Sequence, residues 1–162
     1  MVNLVNTVGG ILCGCALSQF PEYSQQYVQR MGGALDELAT VVQDFDNSAK
    51  TAGYNRDEAL SVMTGSAFME SRQTDMRRTF DRFDTLFDDY SRLKDANAFE
   101  RLAYTARMRD GDVFKGTAKD FKPAVPLNLE GASFVSIGFL FGYGLFAGFM
   151  RLLRRKPKQV AV

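Results

Sequence analysis

The stretch Gly131 to Met150, GASFVSIGFLFGYGLFAGFM, constrains this chain most, because it runs for twenty residues without a charge. At about 1.5 Å per residue, a helix of that length matches a hydrocarbon core of about 30 Å. Arg151, Arg154, Arg155, Lys156 and Lys158 follow at once. A basic flank of this kind marks the cytoplasmic end of a span. The sequence therefore predicts a transmembrane helix over residues 131-153 and a basic cytoplasmic tail over 154-162.

A second apolar stretch opens the chain. Residues 1-20, MVNLVNTVGGILCGCALSQF, carry no charged side chain. A secretory signal would have a basic start, which is absent here. Leu12-Cys13-Gly14-Cys15 resembles a lipidation box, but that basic start is missing too, so the stretch is read as a retained first span. Asn3 and Asn6 make it a polar one. With the tail cytoplasmic, two spans place both termini in the cytoplasm and residues 21-130 outside, which is the periplasm in a Gram-negative cell. The expected location is the bacterial inner membrane.

Charge divides along the same lines. All 19 acids lie between Glu22 and Glu130 with 15 of the 20 basic residues, a net of −4, and the remaining five bases form the tail. An acidic middle has no footprint for nucleic acid. A segment of this length crosses the membrane largely regardless of its own charge. The tail suits an anionic leaflet, so the lipid bilayer is one expected partner.

Within the middle, apolar residues repeat at helical spacing. Met31, Leu35, Leu38, Val42, Phe45, Ala49 and Ala52 form a heptad seam on a helix expected over about 22-52, starting at Pro21 and stopping at Gly53. Asn55 to Glu58 has capping-box spacing before a short helix that ends near Gly65. A second long helix, about 67-93, carries Met69, Met76, Phe80, Phe83, Phe87 and Tyr90. The two seams predict an antiparallel hairpin in which Phe45 meets Met76, Leu38 meets Phe83, Leu35 meets Phe87 and Met31 meets Tyr90. Asn97 to Glu100 repeats the capping spacing. A short helix there would cover the base of the hairpin with Phe99, Leu102, Ala103 and Ala106. Asp110-Gly111-Asp112 reads as a turn, Val113 to Phe121 as one more short helix, and Pro123 and Pro126 as an extended return. The fold class is thus an all-α membrane protein: two transmembrane helices flanking an outward-facing hairpin with additional short helices.

Catalytic chemistry finds little material. There is no histidine, which removes the commonest general base and metal ligand. Asp84, Asp88 and Asp89 form an acidic patch without calcium-loop spacing, and they read as a solvated helix face. No catalytic residue, cofactor site or metal site is expected. The apolar helices offer packing sites instead. Gly10, Gly14 and Ser18 align on the first span, and Gly138 and Gly142 on the second, as small rows that let helix backbones approach. Gly144 and Gly148 form another row about 200° around from Gly142, since each helical residue turns about 100°. That row, continued by Arg151, Arg154 and Arg155, is the expected interface with a partner. Phe134, Phe139, Phe141, Phe146, Phe149 and Tyr143 stand between the rows, open to lipid, pigment, quinone or partner helices.

Two segments, LSQFPEYSQQYVQRMGGALDEL (17-38) and FKPAVPLNLEG (121-131), resemble a family of small proteobacterial membrane proteins known only as a domain of unknown function. The resemblance implies a two-span inner-membrane protein with an outward helical domain, and no activity. The expected function is a non-catalytic accessory or scaffolding subunit. Its partners would be integral membrane subunits of a larger inner-membrane complex, with respiratory and photosynthetic assemblies as candidates. The alternative is a stand-alone envelope adaptor whose hairpin binds a soluble partner.

Overall fold

The computed structural model describes residues 2–125 and 128–153, with side chains from residue 4 onward. Among these residues all regular structure is helical: α1 (Val2–Leu17), α2 (Phe20–Thr51), α3 (Arg56–Ser61), α4 (Ala67–Leu93), α5 (Ala98–Ala103), a 3₁₀ turn (Thr105–Arg107), α6 (Gly111–Asp120) and α7 (Leu129–Leu153). It forms two compact units, one of residues 1–24 with 122–162 and one of residues 25–121. Pro126 and residues 154–162, which include Arg154, Arg155 and Gln159, lie outside the described residues.

Each helix boundary has a local cause. The break between α1 and α2 follows from Pro21, which has no N–H to bond the carbonyl of Leu17 four residues earlier. The ladder resumes when the Tyr23 amide bonds the Gln19 carbonyl at 2.9 Å. The helical run Leu4–Thr51 and helix α7 are both long and apolar enough at one end to cross a membrane. At the far end of α2, Gly53 takes φ +82°. The Tyr54 amide reaches back to the Ala49 carbonyl and that of Gly53 to Lys50, a closure that depends on a left-handed residue at Gly53. Asn55 and Asn97 each complete a capping box, with Glu58 and Glu100.

The second unit is held by large side chains. Val42 of α2, Leu60 of α3, and Met76 and Phe80 of α4 form a buried cluster, with Phe45, Met63 and Phe83 packed against it. Phe45 meets Phe80 edge-on at 5.1 Å. The Arg56 guanidinium lies 4.7 Å above the same ring while binding both oxygens of Asp46. Farther along, the Tyr90 ring lies against Gly32. From the first contact to the second, α2 runs backward while α4 runs forward.

This pairing corrects the expected register in two places. Phe45 faces Phe80 as well as Met76, and Phe87 is 58% exposed instead of covering Leu35. The buried line of α4 passes through Met76, Phe80, Leu86, Asp89 and Leu93. A drift of about 20° per heptad is too small to explain this: Leu86, Asp89 and Leu93 lie roughly 120° around α4 from Met76 and Phe80 at about 100° per residue, on a face where Arg107 and Arg109 meet Asp89. The base of the unit also differs from expectation. Phe99 and Leu102 are exposed, while Ala98, Met108 and Val113 are buried. The Asp110-Gly111-Asp112 turn is the start of α6: Asp110 accepts hydrogen bonds from the amides of Asp112 and Val113.

Candidate functional site

In the first unit, α1 and α7 pack closely, and the contact is built on glycine. A β-carbon added to Gly138 would lie 2.7 Å from the Cys13 carbonyl oxygen and 2.9 Å from the α-carbon of Gly14. One on Gly142 would lie 2.5 Å from the Cys13 β-carbon and 2.8 Å from the Gly9 carbonyl oxygen. One on Gly14 would come within 2.9 Å of the Val135 carbonyl oxygen. Real side chains do not sit so close, so these positions admit only glycine without parting the helices. Gly10 receives the Phe139 ring, and Gly9 the Phe146 ring.

The residues singled out from sequence fall into two groups. Gly10, Gly14, Gly138 and Gly142 come together at this contact. Ser18 is buried at the end of α1, donating to the Cys15 carbonyl at 2.7 Å. Gly9 and Cys13, which the sequence reading left out, belong to the contact as well. Their own four-residue spacing was the signal for them. The aromatic residues also divide. Phe134 is 1% exposed and stacks on Phe20 at 5.7 Å, and Phe139 fills space left by a glycine. Phe141 and Phe149 point away. Asn6 is buried in this unit with its amide oxygen unpaired.

A short polar region holds the approach to α7. The Gln19 side chain both donates to the Ala124 carbonyl and accepts from its amide, each at 3.2 Å. Asn128 then caps the helix by accepting from the Gly131 amide at 2.8 Å.

Gly144 and Gly148 belong to the other face of α7. Nothing lies within 4 Å of a β-carbon placed on either. They form the floor of an open groove of about 660 Å³ walled by Leu140, Phe141, Leu145, Phe149 and Leu152. Arg151 is exposed in the last turn of the helix. Seven residues on from Gly144, it projects only about 20° away from that glycine.

In the acidic patch of α4, Asp84 and Asp88 are exposed as a solvated face requires, and Asp89 is not. Asp89 is 1% exposed and accepts from Arg107 at 3.0 Å and Arg109 at 2.8 Å. Arg107 also bonds Asp88 at 2.6 Å, and this guanidinium holds the Asp88 carboxyl below the ordinary aspartate range. Sequence reasoning missed Asp89 because its partners lie about twenty residues downstream, in a segment with no periodic pattern. No group of three or more potential metal ligands occurs among the described residues. Asp88 and Asp89 of α4 are held by arginines.

No curated protein and no solved structure matches this chain. A family described as "Protein of unknown function (DUF2937)" matches residues 1–159, nearly the whole length, and the chain belongs to that family.

Proposed function

We propose that the protein is a non-catalytic accessory or scaffolding subunit of a larger inner-membrane assembly. In this reading α1 and α7 span the bilayer, residues 21-130 face the periplasm, and both ends are cytoplasmic. The observation that carries it is the outer groove of α7. One helix can fill only one side of α7, and α1 takes the Gly138 and Gly142 side. Lipid gains nothing from a flat glycine surface, since it fits either shape, whereas a neighbouring helix gains close backbone contact. Gly144 and Gly148 are therefore the contact for a membrane helix of another subunit. Arg151, with Arg154 and Arg155 next in sequence, would pair with its cytoplasmic acids. The missing histidine and the arginine-bound carboxylates favour an assembly role over catalysis.

The test compares wild type with Gly148→Leu after mild detergent extraction, by native gel and mass spectrometry. Circular dichroism checks that the variant keeps its helices. Wild type should co-migrate with defined membrane subunits, and the variant should insert and fold but run free. Retention of the same partners by Gly148→Leu, or a wild type that runs alone, rejects the reading.

A further inference from the structure

Helix α6 is attached to its unit in an unusual way. Of its ten residues only Val113 and Thr117 are buried, and ten residues are too few for a helix to hold by itself in water. Its surroundings must keep it formed, and much of that hold is ionic. Arg82 of α4 donates to both oxygens of Asp110, at 2.9 and 3.2 Å, and lies 3.5 Å from a carboxylate oxygen of Asp112. At the other end Arg30 of α2 pairs with Asp120 and fills the space beside Gly116. The Asp110 amide donates to the Tyr27 hydroxyl at 3.2 Å. One carboxylate, Asp110, both caps α6 and anchors it to α4.

We propose that α6 is a charge-latched cover over the Tyr27–Arg30 stretch of α2, and that it opens as a unit when the Arg82 latch is lost. The cap and the anchor share one side chain, so weakening the anchor weakens the helix start as well. The core of Val42, Leu60, Met76 and Phe80 has no member on α6, so the rest of the unit survives the opening. An opened α6 takes the Asp110 amide away from the Tyr27 hydroxyl and uncovers the buried face of α2 around it, giving the domain a surface that is withheld while the latch is closed. Local openings of this kind involve the segments with the least apolar hold.

Hydrogen exchange read by mass spectrometry on the full chain in detergent tests this. Arg82 lies outside α6, so Arg82→Gln leaves the intrinsic helicity of α6 unchanged. It should speed exchange across residues 112–120 by about tenfold, the scale of one charge-assisted hydrogen bond, while α4 and α7 stay within about twofold of wild type. Arg82→Lys, which restores the charge without the fork, should fall between the two. Unchanged exchange of α6 in Arg82→Gln overturns the proposal, and so does acceleration of α4 together with α6.

Discussion

The two units hold themselves together by opposite means. In the first, backbone meets backbone over Gly9, Gly14, Gly138 and Gly142, with rings filling what remains. In the second, large side chains form the core and arginine–aspartate pairs tie segments to it. The difference follows the solvent each composition suits. Water drives Phe80 and Met76 inward, at roughly 1.5–3 kcal/mol for each large side chain buried. Lipid gives no such drive, so contact between apolar helices rests on close packing that only small residues allow. The same chain thus uses glycine as an adhesive in one unit and, at Gly53, as a helix stop in the other.

This contrast breaks most completely at Gly142. Its position 2.5 Å from the Cys13 β-carbon leaves no room for Gly142→Ile, so the variant should part α1 from α7. Cys13 is half-buried at the contact and Cys15 is exposed, giving a built-in gauge. In detergent, Gly142→Ile should raise the labelling of Cys13 by a small maleimide to the level of Cys15. Phe141→Leu, on the outer face, should leave the ratio alone. Equal effects from both would remove the glycine contact from the account.

The next effect belongs to the second unit. Phe80→Ala should lower its stability by about 3–5 kcal/mol, with the labelling of Cys13 unchanged. Phe87→Ala removes a ring that is 58% exposed and should cost less than about 1 kcal/mol. Thermal unfolding by circular dichroism compares them, and similar losses would restore the strict heptad register.

Smaller still is the response to acid. The Arg56 guanidinium holds Asp46 below the ordinary aspartate range, and Arg107 does the same for Asp88. Burial pushes Asp110 up, but Arg82 and the amides of Val113 and Asp112 outweigh it, and its carboxyl is also lowered. Carboxylates depressed by folding stabilise fully above the ordinary range, and that stability is lost as pH falls through the depressed values. The second unit should therefore weaken below about pH 4, seen as a falling unfolding midpoint. The glycine contact of the first unit has no such groups, so its Cys13 protection should persist there. Loss of both together would merge what the structure separates.

Much of the helix layout was legible because its signals are local. The helix expected over about 67-93 is α4, Ala67–Leu93, bounded by Ser66 as cap and Gly65 before it. Asn55 and Asn97 could be read as caps from the glutamate three residues on. What could not be read depends on distant partners. The burial of Asp89 needs Arg107 and Arg109, and nothing at Asp89 itself announces them. The glycine rows were visible as spacing, but the assignment of rings was not. Phe139 and Phe141 are equally apolar, and only the position of α1 separates the half-buried ring from the exposed one.

Asn6 has a consequence for how the protein is made. On the proposed insertion, α1 places an amide with an unpaired oxygen in the bilayer, and it is buried only once the chain has packed. Translation delivers α1 first, and α7 begins 112 residues after Leu17. At ribosomal speeds of about 5–20 residues per second, the first span waits roughly ten seconds for its mate. Throughout that interval a polar group faces the insertion machinery or lipid, and the glycine surface beside it is open to any passing helix. The nascent chain is thus most exposed to mispairing at the membrane before its last segment emerges.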